Sequence, residues 1–300
     1  MAFFKRHSGR GSYDLFSNHS HCVPGYGGMA LLFGLFLIGA FIGSILVGVL
    51  TVFSPEFATI YGTIISYPVM FIPAWLYASA NSRRDEFFVT GYALDSNNFG
   101  VLGGFKMALI VSVATLATAF IADGFNGIMP DTPDWFESAM EQIMDAPVWI
   151  TLISVSIFAP LFEEWLCRGL VLRGLLQKTG PTAAIVVSAA FFAILHMNPW
   201  QALPAFLLGL LFGYVYYKTG SLKLTMLMHC VNNTMAVVFS KIPSMEDAQD
   251  FADVLSPFAY AGIFVACVAF VAATCVVLRN IPFQKEGARS NCDEIPPMHI

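Results

Sequence analysis

Residues 148–168 read VWITLISVSIFAPLFEEWLCR, an apolar stretch that ends in two adjacent glutamates and an arginine. Residues 148–162 include no charged side chain. This composition is typical of a helix that crosses a membrane, where inserting one carboxylate near the bilayer centre costs ~3 kcal/mol. A chain rarely retains two such carboxylates without partners or a use. Glu163 and Glu164 are therefore candidates for a functional site.

The composition of the whole chain also indicates a membrane protein. Of 300 residues, 57% are hydrophobic and only 12% are charged, and the mean hydropathy is +0.68. Phe alone contributes 28 residues, which suits a lipid-facing surface better than a water-soluble core. The six cysteines form no CxxC pair, so neither a disulfide framework nor a zinc knuckle is indicated.

Eight apolar windows approach the roughly 20 residues that a helix needs to cross a bilayer. They predict an all-α fold, a polytopic bundle of about eight transmembrane helices. The windows are 29–53, 57–80, 101–122, 148–172, 182–196, 201–217, 222–239 and 258–278. We interpret residues 1–28 as a polar N-terminal tail that includes Cys22, residues 29–280 as one membrane bundle, and residues 281–300 as a C-terminal tail.

The charged residues are distributed unevenly between the two sides of this eight-helix arrangement. Most cations fall in the tails and in the loops after windows two, four and six, whereas the opposite loops hold Lys241 and many acidic residues. Because cytoplasmic loops carry an excess of Lys and Arg, we expect a multi-pass protein of the cell membrane with both termini in the cytoplasm. Residues 134–145 predict a short amphipathic helix, either on the outer leaflet or packed on the bundle.

The polar residues of window four fall on two faces of the predicted helix. Glu164 and Arg168 are four residues apart and share a face, so they can form an ion pair. Glu163 points about 100° away from Glu164 and is free for another role. Arg168 also has a simpler interpretation, in which it extends to the membrane surface at the helix end.

Two further polar pairs follow in the next windows. His196 comes one helical turn after Phe192, and Asn233 one turn after His229. Taken singly, a membrane His or Asn is often a structural group that joins helices by hydrogen bonds. Their occurrence together with the glutamates, between residues 163 and 233, favours one shared site.

These motifs, EExxxR, FxxxH and HxxxN in this order and spacing, resemble those of the CPBP family. That family comprises CAAX prenyl endopeptidases of the Rce type and bacterial bacteriocin-processing or self-immunity proteins, often labelled Abi. The resemblance covers residues 148–239, which we interpret as the catalytic core, and includes the run LGLLFGYVYYKTGSL at residues 208–222. It implies an intramembrane peptidase whose substrate is a peptide or protein. The sequence leaves open whether this is a lipidated or membrane-embedded substrate, such as a prenylated C-terminal peptide, or a small secreted or self-immunity peptide.

The residues of the shared site permit peptide hydrolysis by an activated water. Glu163 is the candidate general base, and His196 helps to hold the water. His229 and Asn233 are the candidate donors to the oxyanion of the tetrahedral intermediate. Supporting roles fall to Glu164, Arg168 and Phe192. The resemblance implies the same assignment.

A metal-dependent version of this site is also conceivable. Glu163, His196 and His229 could form a His₂Glu shell for zinc with one open position. The HExxH helix of common zinc proteases is missing, however, and an amide such as that of Asn233 is a poor zinc ligand. We therefore favour a metal-free reaction.

Two other functions use the same residues. A non-catalytic membrane scaffold, or a bacteriocin immunity factor, retains the fold without cleavage. A small transporter would use the glutamates as a proton relay, but the two halves of the chain show no repeat. The expected partners are a peptide substrate and membrane lipids, and no nucleic acid.

The predicted depths of the site residues disagree with one another. At 1.5 Å per residue, Glu163 and His229 lie roughly 10–15 Å from the cytoplasmic face, and His196 lies ~20 Å in. We expect them to converge only if the helix that carries His196 is tilted or begins above the headgroups, around a cavity open to the cytoplasm.

Overall fold

The computed structural model describes residues 22–81, 94–242 and 250–281, and within these ranges the chain forms ten helices and no strands. The all-α prediction is therefore confirmed. Most of the two predicted tails lies outside the described residues. The helices are α1 (Tyr26–Phe53), α2 (Pro55–Ala80), α3 (Gly103–Asp123), α4 (Asp134–Met144), α5 (Val148–Leu176), α6 (Pro181–Leu195), α7 (Pro199–Thr219), α8 (Leu222–Phe239), α9 (Phe251–Val254) and α10 (Pro257–Arg279).

Each of the eight predicted windows corresponds to one helix of the bundle. By length and composition, six of the described helices can cross a membrane: α1, α2, α3 with its flanking turns, α5, α7 and α10. The other two, α6 and α8, have only 15 and 18 residues. The chain is thus a polytopic, multi-pass helical bundle. Its central helix is α5, which packs against α2, α6, α7 and α8.

The turns of α5 widen twice along its length. Leu152–Phe158 and Trp165–Leu172 are π-helical, and the intervening Ala159–Glu164 is α-helical. Pro160 contributes to the first change, because it has no N–H to donate to the preceding turn. Stretches of π-helix are rare and occur frequently at functional sites. Both glutamates lie at the end of the α-helical segment, directly before the second π stretch.

The helices that meet α5 begin at different depths. Leu222, the first residue of α8, is buried beside Gly169, where a side chain on the glycine would come within 3.6 Å of Leu222 Cδ2. Gly169 lies ~10 Å along the axis from Leu176, the last residue of α5. The helix α8 therefore begins inside the bundle, and this offset brings His229 level with the glutamates.

The helix α5 is longer than predicted. Because it continues to Leu176, about one turn beyond the predicted end, Glu163 lies close to the middle of the helix. The hydroxyl of Ser188 donates a hydrogen bond to the Cys167 carbonyl at 3.0 Å and sets the level of α6 against α5. The helices α6 and α8 therefore meet α5 at levels that differ from those of their ends.

The amphipathic helix α4 packs on the bundle, which was one of its two predicted placements. Its aromatic side chains Trp135 and Phe136 contact the Trp200 ring at centroid distances of 6.0 and 4.9 Å. The Trp200 indole also donates a hydrogen bond to the Pro130 carbonyl at 2.7 Å. The helix α4 and the segment before it therefore cover the turn between α6 and α7.

The expectation that Cys22 lies in a polar tail is wrong. Its side chain is 1% exposed and belongs to the central hydrophobic core. Burial raises the pKa of the Cys22 thiol to about 11, against the smaller opposing effect of the Arg173 charge. Residues 22–25 pack on the end of α5 at Gly174, where a Cβ atom would collide with the Pro24 carbonyl. The bundle therefore begins before residue 26.

We expect Gly39→Ala to destabilise the hairpin of α1 and α2. A Cβ atom on Gly39 would overlap the Met70 carbonyl oxygen, and overpacking of this kind typically costs ~1–3 kcal/mol. Gly34→Ala, on the same helix, is the matched control, because its Cβ atom would meet no heavy atom within 4 Å among the described residues. Thermal unfolding in detergent, followed by circular dichroism, measures both. Equal melting temperatures for the two variants would contradict this packing.

Candidate active site

The site is organised around a buried ion pair between Glu164 and Arg168. Arg168 Nη1 lies 2.9 Å from Glu164 Oε1, and both side chains are fully buried. Arg168 Nη2 donates a second hydrogen bond to the Gly209 carbonyl on α7 at 3.1 Å. The ion pair predicted from the four-residue spacing is confirmed. The alternative, in which Arg168 extends to the membrane surface, is wrong, because the guanidinium is held inside the bundle.

Two aromatic rings complete the surroundings of the Arg168 guanidinium. Its central carbon lies 4.6 Å from the Phe192 ring centroid and 5.3 Å from that of Phe212. Cation–π contacts of this kind are strongest where the cation is removed from water. Gly209 allows the close approach, because a Cβ atom there would lie 3.1 Å from Ala189 and 3.4 Å from Arg168 Nη2. Phe212 and Gly209 belong to the run at 208–222, but their contacts were not predicted.

His229 joins the same carboxylate from α8. Its Nδ1 lies 3.2 Å from Glu164 Oε1. A carboxylate can only accept a hydrogen bond, so Nδ1 carries the proton. In the neutral ring Nε2 then has a free lone pair, and the imidazolium form can donate from Nε2. Glu164 therefore contacts His229 directly and sets its tautomer, which the sequence pattern did not predict.

The position of His196 is fixed by a tight turn at the end of α6. Its Nδ1 lies 3.0 Å from the Phe192 carbonyl, an acceptor, so in the neutral ring the lone pair again falls on Nε2. The next residue, Met197, has a φ of 54°, an uncommon conformation for a side chain of its size. Asn198 then caps α7 by accepting a hydrogen bond from the Gln201 amide at 2.9 Å.

Phe192 lies between the two histidines. Its ring meets the His196 imidazole edge-on at a centroid distance of 5.2 Å and the His229 imidazole at 5.5 Å. One aromatic side chain thus contacts both imidazoles and the Arg168 guanidinium. Phe192, His196, His229, Glu164 and Arg168 thus form one connected cluster, whereas the contacts of Glu163 and Asn233 lead to other residues.

Asn233 faces the first π stretch of α5. Its Nδ2 donates a hydrogen bond to the Val155 carbonyl at 2.8 Å, and its Oδ1 accepts one from Asn232 at 3.0 Å. Because a carboxamide has two N–H groups, one donor of Asn233 remains for another acceptor. Its predicted partner there is a substrate oxyanion.

The hydrogen-bond partner of Glu163 differs from those of Glu164. The Tyr67 hydroxyl on α2 donates a hydrogen bond to Glu163 Oε1. The second oxygen, Oε2, is buried and has no hydrogen-bond partner among the residues that the structure describes. Glu164 Oε2 is likewise buried without a described partner, but the Glu164 carboxylate is paired with a cation. A carboxylate without a cationic partner in the described part of the chain, such as Glu163, suits a general base. Tyr67 was not predicted, since nothing in the spacing of window 57–80 connects it to the glutamates.

The donor set considered for zinc does not form a compact cluster. Within the described ranges, no three His, Cys, Asp or Glu side chains lie close enough together to hold a metal ion. The close carboxylate–imidazole pair is that of Glu164 and His229, and Glu163 turns its Oε1 away toward Tyr67. These residues as arranged do not fit a His₂Glu shell.

Comparison with known proteins connects this site to a family. Residues 145–235, from just before α5 into α8, match the family model described as "Type II CAAX prenyl endopeptidase Rce1-like". The resemblance to the CPBP family is confirmed. All motif residues lie within this Rce1-like segment, whereas Tyr67 lies outside it. No solved structure matches the chain.

A curated relative gives the same indication over a similar length. The chain is 26% identical over 107 residues to a Bacillus subtilis (strain 168) protein named "Putative membrane peptidase YdiL". The aligned part is 36% of this chain and 43% of that relative, so the match spans less than half of the relative's length.

We expect Glu164→Gln to lower the stability of the fold far more than Glu163→Gln. Losing the Glu164 charge leaves the Arg168 guanidinium buried without its counter-ion, a change that typically costs ~3–5 kcal/mol. In Glu163→Gln the amide oxygen can still accept from Tyr67, and no cation loses its partner. Thermal unfolding of the purified proteins measures the difference.

A compensating variant separates charge from packing at this position. Combining Glu164→Gln with Arg168→Met removes the uncompensated cation, so part of the lost stability should return. Equal destabilisation by Glu163→Gln and Glu164→Gln would show that the ion pair does not stabilise the bundle.

Proposed function

We propose that the chain is an intramembrane endopeptidase that hydrolyses a peptide bond by a water activated at Glu163. The observation that carries this proposal is the unequal treatment of the two adjacent glutamates. Each glutamate has a buried Oε2 without a partner among the described residues, but Glu164 Oε1 is paired with the Arg168 cation and contacts His229, whereas Glu163 Oε1 receives only the neutral Tyr67 hydroxyl. The match of the surrounding segment to the Rce1-like family supports the same class of reaction.

The proposed reaction divides the work among three helices. Glu163 Oε2 takes a proton from water, which His196 orients through its Nε2 lone pair, and the hydroxide attacks the scissile carbonyl carbon. The oxyanion that forms receives hydrogen bonds from the remaining Asn233 N–H and from His229 in its imidazolium form. Losing one such donor typically costs ~3 kcal/mol of transition-state stabilisation. Glu163 then passes its proton to the leaving nitrogen as the C–N bond breaks.

The depth of the site constrains the substrate. Glu163 lies near the middle of α5, so the scissile bond must reach the interior of the bundle rather than its cytoplasmic surface. A peptide that is lipidated or embedded in the membrane can do this at lower cost than a soluble one, because part of it is already in the apolar phase. We therefore propose a membrane-associated peptide or protein as the substrate.

Cleavage depends on Glu163 if this proposal is right. We expect Glu163→Gln to reduce turnover roughly 10²–10⁴-fold, the usual contribution of a general base, at unchanged expression. Mass spectrometry of membrane peptides from cells with the wild-type chain or with Glu163→Gln identifies a substrate as a peptide that is lost only with the wild type. The purified protein in liposomes then cleaves that peptide, and dialysis against a chelator leaves the rate unchanged if the water is metal-free.

The competing functions give different outcomes in the same cells. If Glu163→Gln and His229→Ala both leave the peptides and the phenotype unaltered, the protein is a scaffold or an immunity factor. A transporter would instead show pH-dependent uptake into vesicles, lost in Glu163→Gln.

The orientation in the membrane is proposed from the charges at the two ends of the bundle. Lys178 lies beside the Tyr26 ring at the start of α1, and Lys218 donates to the Arg279 carbonyl, so these cations share one end. At the opposite end, Lys241 lies 3.8 Å from Asp145, next to the acidic helix α4. By the excess of cations, the first end is cytoplasmic, as are both termini.

Reporter fusions test this orientation. Alkaline phosphatase is active only outside the cytoplasm, so we expect activity when it is fused after Asp131 and none when it is fused after Thr179 or Ile300. The reverse pattern would invert the orientation without affecting the site itself.

A further inference from the structure

We propose that Tyr67 is a positioning residue of the active site, which holds the Glu163 carboxylate for its role as the base. This inference rests on the proposed function. Its starting point is the hydrogen bond from the Tyr67 hydroxyl to Glu163 Oε1. Because that bond occupies one carboxylate oxygen, it fixes the side chain and leaves Oε2 as the atom that can accept a proton.

Tyr67 is held by a chain of aromatic contacts that leads back to the same segment of α5. Its ring lies 5.8 Å from that of Phe71, which stacks on Phe162 at 5.3 Å with an interplanar angle of 15°. Phe162 directly precedes Glu163 in the chain. Phe71 is 1% exposed and also contacts Phe36 on α1 at 5.5 Å. The hydroxyl and its acceptor are therefore fixed to one packed layer of α1, α2 and α5.

The Tyr67 hydroxyl is a neutral donor, so it can position the Glu163 carboxylate but cannot compensate its charge as Arg168 does for Glu164. Glu164 is paired with the Arg168 cation, which stabilises its negative charge strongly. Tyr67 offers Glu163 a single neutral hydroxyl, which orients the carboxylate without a compensating positive charge. A cation in place of the Tyr67 hydroxyl would stabilise the negative charge of the carboxylate and make it a poorer proton acceptor. A phenol restricts its geometry while leaving a proton acceptor available.

The placement of Tyr67 extends the site beyond the Rce1-like segment. The matched residues begin at 145, so α2 and its tyrosine are contributed by the part of the chain that precedes the match. The hairpin of α1 and α2 is then a component of the active site as well as a part of the bundle.

The test compares Tyr67→Phe with Tyr61→Phe in the purified full-length protein reconstituted in liposomes. Tyr61 is on the same helix, and its ring contacts Phe57 and Trp149 rather than a carboxylate, so it is the matched control. The probe is dicyclohexylcarbodiimide, which modifies uncharged carboxyl groups in apolar surroundings. Mass spectrometry measures the labelling of Glu163, and Glu163→Gln confirms the labelled position.

The hydrogen bond from Tyr67 occupies Oε1 and fixes the carboxyl group, so its removal frees that oxygen and should speed labelling. In Tyr67→Phe we expect Glu163 to be labelled roughly tenfold faster and kcat for the identified peptide to fall about tenfold, with KM within about twofold. Tyr61→Phe should match the wild type in both measurements. Tyr67→Phe should lower the melting temperature only by the loss of one hydrogen bond, whereas a purely structural role would lower stability without changing kcat or the labelling rate.

The two proposals fail separately in this experiment. Unchanged labelling and kcat in Tyr67→Phe, with cleavage abolished by Glu163→Gln, would overturn the role of Tyr67 and leave the peptidase standing. Full cleavage by Glu163→Gln would overturn the proposed function instead. In that case faster labelling in Tyr67→Phe would still show that the tyrosine holds the carboxylate.

Discussion

The buried ion pair of Glu164 and Arg168 is the interaction on which the rest of the site depends. Removing two charges from water costs several kcal/mol per ion, so the pair persists only where other groups compensate it. Here the compensation comes from three helices: the Gly209 carbonyl on α7, the Phe192 ring on α6 and the His229 imidazole on α8. The contacts of this one arginine therefore require α6, α7 and α8 to meet α5 at one level, although its Nε has no hydrogen-bond partner among the described residues.

This requirement explains why two neighbouring glutamates have different chemistry. The Glu164 carboxylate forms the ion pair with Arg168 and accepts the hydrogen bond that sets the His229 tautomer. The Glu163 carboxylate faces α2, where its described partner is a neutral phenol. Adjacent side chains on one helix point about 100° apart, so each glutamate contacts a different neighbouring helix. The residues of that helix determine the surroundings of each carboxylate. Of the two neighbouring residues, Glu164 therefore joins the helices through its ion pair, and Glu163 is the candidate base.

The sequence was sufficient for the parts of this arrangement that depend on local spacing. Hydrophobic windows predicted the eight main helices, and four-residue spacing predicted the ion pair of Glu164 and Arg168. The level at which each helix begins could not be predicted, because an apolar window carries no information about its neighbours. The π stretches of α5, the deep start of α8 and the contact with Tyr67 all depend on tertiary packing.

The contact with Tyr67 also bears on where the functional unit begins. The Rce1-like segment alone contains the ion pair, both histidines and Asn233, yet the face of α5 that carries Glu163 is covered by α2. Without the hairpin of α1 and α2, that carboxylate would face lipid, where an unpaired charge is costly and water cannot be held. The helix α2 covers Glu163 with apolar side chains and places the Tyr67 hydroxyl within hydrogen-bonding distance of its carboxylate. A motif match restricted to residues 145–235 therefore includes the proposed reactive groups but not the helix that covers Glu163.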